Sequence, residues 1–194
     1  MDFHYPPGAT PLNADEIDGL IPTHITTRAE LDRWEQDNIN EALLWLQKQK
    51  RKEVLNESFM KQLHKKMFCH VWKWAGRFRQ NEKNIGVAWY QIPIELKQLC
   101  DDVEYWIENK AFEADEIATR FHHRLVSIHL FANGNGRHAR LMADVLLETR
   151  LHRQAFTWGS ANLASTGQDR KRYIESLVAA DRGDYTALLE FVRS

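Results

Sequence analysis

Residues 129–140 read HLFANGNGRHAR, and this stretch decides how the chain folds. Its Gly-Asn-Gly loop at 134–136 leads into a helical pattern, so backbone N–H groups and the helix dipole meet at a helix N-terminus and can bind phosphate oxygens. Arg137 and Arg140, in the first turns of that helix, add charge-assisted contacts to the same anion. His129 stands just before the loop, where it is placed for proton transfer. The stretch therefore predicts a phosphate site with a general base beside it.

Helical periodicity continues on both sides of this loop. One apolar stripe predicts a helix over about 113–128, and a second predicts a helix over about 135–151. No proline follows Pro93, which agrees with a helical second half, because helix interiors exclude proline. Further helices are predicted over 31–49, over about 54–70 and around 173–178. Thr27 is a plausible N-cap for the first of these, with Glu30 three residues later in the capping-box position.

The 194 residues suffice for one domain with a sizeable core. Residues 1–25 are proline-rich and weakly periodic, so we expect an arm on the surface, followed by a single domain over 26–194. The stretch 81–92, with Gly86 among β-favouring residues, predicts a short hairpin or an extended flap. The predicted fold class is therefore all-α, a helical bundle with a small β-hairpin flap.

Composition argues against several classes of protein. The formal net charge is −1, so nothing indicates an electrostatic grip on nucleic acid or on an anionic membrane. Apolar runs are only a few residues long, so we expect no membrane span. Cys69 and Cys100 are too far apart in sequence for a redox or metal-ligand motif. The N-terminus lacks the basic start and apolar run of a signal peptide, and we expect a cytoplasmic protein.

The stretch 129–140 resembles the catalytic motif of the Fic (Fido) family, which reads His-x-Phe, two variable residues, Gly-Asn-Gly-Arg, two more residues and Arg. Residues 63–79, LHKKMFCHVWKWAGRFR, are similar to the family segment that precedes its flap. Residues 180–192, ADRGDYTALLEFV, resemble its last helix, and the opening residues resemble a group called mobile mystery protein B, found with mobile elements. The resemblance implies a Fic-fold bundle over most of the chain.

The resemblance also implies a reaction, the transfer of AMP from ATP to a Tyr, Ser or Thr hydroxyl of a target protein. His129 would take the proton of that hydroxyl, and the loop would hold phosphate oxygens as an anion hole. The residues implied to bind the nucleotide are Asn133, Gly134, Asn135, Gly136, Arg137 and Arg140. Relatives that transfer a phosphoryl group carry lysine at the position of Gly136, so the glycine favours AMP transfer.

Two further expectations come from the family pattern. The flap would pair with the target segment as an added strand, through Ile85, Gly86, Val87 and Trp89. Mg²⁺ is expected as cofactor, and the family often binds it through an acidic residue before the Gly-Asn-Gly loop. Here that residue is Asn133, whose amide oxygen can ligate Mg²⁺ without the charge of a carboxylate. Asn133 is therefore expected to be a weak ligand.

Regulation is open at this point. Many Fic enzymes are inhibited by a glutamate in a Ser/Thr-x-x-x-Glu-Gly/Asn motif, which reaches the second motif arginine, here Arg140. Thr26 and Glu30 have the right spacing, but Leu31 follows, and Glu35 lacks the preceding Ser or Thr. Glu30 and Glu35 are thus candidate inhibitory residues without an intact motif.

Other functions of the same fold stay open as well. One is a hydrolase that removes AMP from proteins. Another is a catalytically weak member of a toxin–antitoxin pair, partnered by an antitoxin-like regulator, which Asn133 favours. Arg140 could also form a simple surface pair with Asp144 one turn on.

Overall fold

The computed structural model describes residues 10–49, 53–160 and 167–194, and these residues form a bundle of helices. The α-helices are α1 (Ala14–Ile17), α2 (Arg28–Gln47), α3 (Glu57–Phe68), α4 (Ile92–Glu108), α5 (Ala114–Ile128), α6 (Asn135–Leu146), α7 (Gln168–Ala180) and α8 (Thr186–Val192). A π-helical turn, Leu147–Leu151, extends α6. Within the described residues, β pairing amounts to an isolated bridge between Leu20 and Trp72. The predicted all-α class is confirmed.

Helix α2 begins where the sequence predicts. The Thr27 hydroxyl accepts the Glu30 N–H at 3.2 Å, and the Glu30 carboxylate accepts the Thr27 N–H at 3.0 Å. This reciprocal capping box satisfies donors that a helix N-terminus otherwise leaves without partners. Leu31 and Glu35 are buried along the face of α2 that packs on α3. The cap therefore fixes where α2 begins, and these buried residues mark the side that faces the interior.

The buried apolar side chains form two clusters. The larger one is built mainly from α2 to α6 and includes Phe59, Phe121 and Phe131. The smaller one joins α7 and α8 to the far sides of α5 and α6, and it includes Tyr173 and Phe191. Helices α5 and α6 pack against each other and contribute to both clusters. The loop between these two helices is thus fixed from both sides.

The predicted β-hairpin over 81–92 is wrong. Residues 81–88 form an irregular loop, a 3₁₀ turn follows at Trp89–Gln91, and α4 begins at Ile92. The side chain of Arg79 donates to two backbone carbonyls of this loop, those of Asn81 and Val87. Arg79 binds two carbonyls of this segment, and no strand among the described residues faces it. The segment therefore forms no β-ladder, although its residues favour strands.

Residues 10–25 of the predicted N-terminal arm pack on the bundle, whereas residues 1–9 lie outside the described residues. Leu12 and Ile25 are buried. The Ile21 N–H donates to the Val71 carbonyl at 2.8 Å, which fastens the segment beside the end of α3. Residues 10–25 are therefore packed against the helical bundle as part of the folded domain.

Candidate active site

His129 ends α5 in the left-handed conformation, with φ 60° and ψ 67°. Its backbone carbonyl accepts the Nε–H of Arg79 at 2.6 Å. The chain then turns inward, where Leu130 and Phe131 are 1% and 0% exposed. The apolar residues after His129 therefore anchor the turn, and the buried guanidinium of Arg79 holds it from the other side.

The Gly-Asn-Gly loop is closed by one side chain. The Asn135 amide accepts the Phe131 N–H at 2.9 Å and donates to the Phe131 carbonyl at 2.7 Å. Gly134 has φ +79°, and a Cβ there would lie 2.7 Å from the Phe68 ring, so the position requires glycine. The Asn135 side chain thus shapes the loop, and its predicted phosphate contact stays a prediction. Its backbone N–H remains at the start of α6, in the helix turn whose donors lack intrahelical partners.

His64 supports this loop from below. Its Nδ1 accepts the Gly76 N–H at 3.0 Å, so Nε2 carries the proton and donates to the Asn133 carbonyl at 3.1 Å. The ring also stacks on Phe131 with centroids 3.7 Å apart. Burial holds the pKa of His64 well below its usual value, which keeps the ring in this neutral form.

The imidazole of His129 is buried and has a hydroxyl at its Nε2. Burial, opposed by the Val126 backbone carbonyl, lowers the pKa of His129 to about 4. The neutral ring is therefore the form present at neutral pH, as a general base requires. Thr10 Oγ1 lies 3.0 Å from His129 Nε2. The site thus already holds a hydroxyl at hydrogen-bonding distance from the predicted base.

A pocket of about 550 Å³ opens beside His129, between the loop 133–137 and α7. Its wall carries four guanidinium groups, from Arg28, Arg137, Arg140 and Arg170, and two carboxylates, from Asp32 and Asp181. Arg28 pairs with Asp32 at 2.9 Å, and the arginines still outnumber the carboxylates. Burial lowers the pKa of Arg170, and repulsion from Arg140 adds to the effect, so positive charge is concentrated here. An electropositive pocket next to a helix N-terminus suits a triphosphate.

Arg140 faces this pocket. Its guanidinium lies over the Tyr173 ring, 5.7 Å from the ring centroid. The alternative pairing with Asp144 is not formed, because the Asp144 carboxylate accepts the Phe156 N–H and the Trp158 Nε1–H, each at 3.1 Å. Arg140 is therefore placed to contact a bound anion.

Arg137, the first motif arginine, is held by a buried carboxylate. Its Nη1 lies 2.8 Å from Oε2 of Glu35, which is 2% exposed. The other carboxylate oxygen of Glu35 accepts the Trp72 Nε1–H at 2.7 Å. Glu30, by contrast, is exposed and caps α2. Of the two candidate inhibitory residues, Glu35 reaches the motif, where it contacts Arg137, and it makes no ion pair with Arg140.

Asn133 offers one neutral oxygen to a metal. Its Oδ1 accepts the Gly134 N–H at 2.6 Å, and its Nδ2 donates to the Thr10 carbonyl at 3.2 Å. In the described part of the chain, no group of three or more His, Cys, Asp or Glu side chains surrounds a metal position. The Asn133 amide oxygen is of a type that can ligate Mg²⁺, and in this structure it accepts the Gly134 N–H.

The predicted flap lies directly against His129. Gly86 has φ +111°, and a Cβ there would come within 2.7 Å of the His129 Cβ, so only glycine allows this approach. Ile85 and Gly86 line the pocket, whereas Trp89 is 43% exposed beyond it. Val87 is half-buried, and its N–H points to the Ile128 carbonyl at 3.4 Å. The structure therefore brings the flap and the base together.

Three residues of this candidate site were not predicted from the sequence. Arg79 lies in the segment 63–79 that is similar to the family, but nothing there marks it as the contact to His129. Arg170 lies in a predicted helical region without a motif. Thr10 lies in the predicted surface arm, and no sequence signal connects it with a histidine 119 positions later.

Comparison with known proteins agrees with this geometry. The profile of the Fic/DOC family matches residues 54–147. Protein adenylyltransferase Fic of Aedes aegypti is 28% identical over 135 residues, which cover 68% of this chain and 26% of that protein. The chain thus spans about a quarter of the length of the curated relative it matches. Among the described residues, the helices include none with the length and apolar character needed to cross a membrane.

Solved structures share the fold at low sequence identity. The N-terminal FIC domain of Bep8, an effector protein from Bartonella sp. 1-1C, superimposes with a TM-score of 0.67 at 17% identity, over 88% of each chain. BepC from Bartonella tribocorum, solved with bound AMPPNP, gives a TM-score of 0.64 at 17% identity over 93% of this chain and 97% of that one.

Proposed function

We propose that the chain, whose residues 54–147 match the Fic/DOC family profile, transfers AMP from ATP to a hydroxyl group of a target protein. The observation that carries this proposal is the juxtaposition of a buried His129 with an arginine-lined pocket at the start of α6. Curated relatives with this sequence similarity are named protein adenylyltransferases. His129 can accept a proton at this site, and several arginines can hold the triphosphate.

The proposed reaction is an in-line displacement at the α-phosphorus. The target hydroxyl oxygen forms a bond to this phosphorus while its proton passes to His129 Nε2. The bond to the bridging oxygen breaks, and pyrophosphate leaves. Backbone N–H groups at the start of α6, with Arg137 and Arg140, stabilise the charge on the phosphate oxygens. Phe131 and Asn135 contribute by keeping the loop in place before substrate arrives.

We further propose Mg²⁺ as the ion that accompanies ATP, with Asn133 Oδ1 as its ligand on the loop. When bound, the ion would neutralise part of the triphosphate charge. The neutral amide makes this contact weaker than that of a carboxylate, and the four arginines of the pocket supply positive charge that partly compensates.

The target protein is proposed to lie along the flap. Ile85 and Trp89 present exposed apolar surface there, and the flap backbone approaches His129 at Gly86. A target segment with an exposed Tyr, Ser or Thr could pair with this backbone as an added strand. Such a segment would place its hydroxyl at His129. A cytoplasmic location is part of the same proposal.

A second function is favoured by one observation. Asn133 lacks the charge of a carboxylate, and its amide is already bound to Gly134 and Thr10. A chain with this loop could bind nucleotide and a regulator of the antitoxin kind without efficient transfer. Tight ATP binding without transfer to any protein is the result that would favour this function.

The experiment uses ATP labelled on either the α- or the γ-phosphate, with Mg²⁺, in a cell lysate. AMP transfer attaches the α-label to a protein and releases the γ-label, whereas phosphoryl transfer does the reverse. His129→Ala is expected to lower transfer by about 10²–10⁴-fold while nucleotide binding persists. His70→Ala, a variant of an exposed histidine outside the pocket, is the control and should keep full transfer. Equal α-labelling by the wild type and His129→Ala would remove His129 from the mechanism.

A further inference from the structure

Thr10 occupies the position at the base where an acceptor hydroxyl belongs. Its Oγ1 lies 3.0 Å from His129 Nε2, and the residue is 7% exposed. Among the described residues, no other hydroxyl hydrogen-bonds to His129. Ser127 also lines the pocket, but its hydroxyl donates to the His123 carbonyl at 3.0 Å. The hydroxyl in reach of the base therefore comes from the chain itself.

The backbone around Thr10 is fixed by the same loops that build the site. Asn133 Nδ2 donates to the Thr10 carbonyl at 3.2 Å, and Lys83 Nζ donates to the Pro11 carbonyl at 3.1 Å. Lys83 also pairs with Glu16 at 2.5 Å, and both side chains are nearly buried. Residues 10–16 are thereby held between the Gly-Asn-Gly loop and the segment before Gly86. Through Pro11 and Glu16 they contact Lys83, in the segment that leads to Gly86.

The nucleotide pocket opens next to this hydroxyl. Thr10 lines it together with the loop 133–137 and the four arginines of the wall. An acceptor that is already held beside both the base and the nucleotide reacts without the entropy cost of bringing in a second molecule. The Thr10 hydroxyl therefore lies next to both the base and the nucleotide pocket.

We propose that Thr10 is a site of self-modification, at which the chain attaches AMP from ATP to its own threonine. This inference rests on the proposed function. The Thr10 oxygen forms the bond to the α-phosphorus, and its proton moves to His129 Nε2. The bond between the α-phosphorus and the bridging oxygen breaks, and pyrophosphate leaves. The product is a phosphodiester between Thr10 and adenosine, and the histidine later returns its proton to solvent.

Thr10 and a target residue would compete for the position at His129. The position at His129 Nε2 holds one hydroxyl at a time, so a target residue can enter only when Thr10 has left. Self-modification and transfer to another protein therefore use the same base and the same pocket. Removing the Thr10 hydroxyl is expected to stop self-modification.

The test uses the purified full chain with ATP and Mg²⁺, followed by intact mass measurement and peptide mapping. The wild type is expected to gain one adenylyl group at Thr10, at a first-order rate that does not depend on protein concentration. Thr10→Ser keeps the hydroxyl and should be modified at position 10. Thr10→Val, of nearly the same shape, should show no self-modification, and Thr23→Val, at an exposed threonine away from the pocket, is the matched control. Binding of a non-hydrolysable ATP analogue checks that each variant is folded.

Each other outcome overturns the inference in a recognisable way. Modification of Thr10→Val at the wild-type rate, or modification mapped to another residue, excludes Thr10 as the acceptor. An unmodified wild type that still labels a lysate protein shows that Thr10 only blocks the base, and the proposed function then survives. Absence of the α-label from every protein, with the wild type and with Thr10→Val, overturns the proposed function together with this inference.

Discussion

Arg79 and His129 are joined by a buried hydrogen bond of 2.6 Å, from the Arg79 Nε–H to the His129 backbone carbonyl. The same guanidinium donates to the carbonyls of Asn81 and Val87, on both sides of the flap. One side chain thus fixes the turn that presents the base and the segment proposed to guide the acceptor. A fourth carbonyl, that of Ile128, lies 3.4 Å from Arg79 Nη2. Because all four acceptors are backbone carbonyls, the arrangement depends on the forked shape of arginine.

Arg79→Lys tests this link. An ammonium group cannot reach the same carbonyls from one position, so buried acceptors lose their donors. We expect the free energy of unfolding to fall by about 1–3 kcal/mol. We also expect the KM for an acceptor protein to rise more than the KM for ATP, since the flap is released and the arginine pocket is kept. Urea unfolding and transfer kinetics measure both effects.

Arg77→Lys is the control, because Arg77 lies two positions earlier and its side chain is exposed. It should leave stability and both KM values unchanged. If Arg79→Lys behaves like this control, the flap is held by other contacts.

Glu35→Gln distinguishes positioning from inhibition. The amide oxygen can still accept the Trp72 Nε1–H, but the charge facing Arg137 is lost. Removing one partner of a buried pair is costly, and the partial exposure of Arg137 reduces the effect, so we expect a loss of about 1–2 kcal/mol in stability. Because Glu35 pairs with Arg137 and makes no ion pair with Arg140, we expect transfer to fall, not rise.

The measurement is the rate of AMP transfer beside the unfolding curve, with Glu41→Gln on the exposed face of α2 as control. A faster rate for Glu35→Gln would assign the inhibitory role to Glu35. The inhibitory role of Glu30 is tested in the same way, and its capping contacts with Thr26 and Thr27 predict a loss of helix stability without a gain in rate.

The two loop glycines should respond differently to alanine. At Gly134 a Cβ would meet the Phe68 ring at 2.7 Å in a left-handed backbone, so Gly134→Ala should lower stability by about 1–3 kcal/mol. At Gly136 the nearest atom to a Cβ is Arg140 Nη1 at 3.9 Å. Gly136→Ala should therefore fold normally and weaken ATP binding, because its methyl group points into space proposed for phosphate.

Thermal unfolding and ATP titration separate the two variants. Normal ATP affinity in a stable Gly136→Ala would show that the triphosphate does not approach this residue. Unchanged stability of Gly134→Ala would mean that the loop can shift away from Phe68.

The sequence predicts the local features of this site and misses the ones made at long range. The capping box at Thr27 and the turn at His129 follow from residues a few positions apart, and the structure contains both. The flap was assigned to strands from β-favouring residues, but a strand needs a partner, and Arg79 takes the carbonyls instead. The position of Thr10 depends on packing of the whole bundle, and no local pattern encodes it.

The bounds of helix α4 were not predicted from the sequence, although two local features indicate this helix. Leu96, Leu99, Cys100 and Val103 are buried at helical spacing. Pro93 stands in the first turn, where the missing N–H costs nothing, so it marks the start of this helix.

Acid should destabilise the fold through its buried histidines. Burial lowers the pKa of His122 to about 3 and that of His138 to about 4, and His129 behaves likewise. An imidazole whose pKa is lower in the folded state than in the unfolded state contributes stability at pH values above its unfolded-state pKa, near 6.5. This contribution is lost as the pH falls toward the folded-state pKa. Burial raises the pKa of Asp144 to about 6, so protonation of this carboxyl stabilises the fold as the pH falls. This one carboxyl opposes several imidazoles, and the net effect of acid is still a loss of stability.

We therefore expect the free energy of unfolding in urea to be several kcal/mol lower at pH 5 than at pH 7.5, since each pKa unit corresponds to about 1.4 kcal/mol. His138→Gln is the control variant, because its amide can still donate to the Met60 carbonyl, which His138 Nε2 contacts at 3.0 Å, but does not titrate. It should lose less stability than the wild type over the same range. Equal stability of the wild type at both pH values would mean that these histidines are not buried in neutral form, and it would remove the pKa argument for His129 as an unprotonated base.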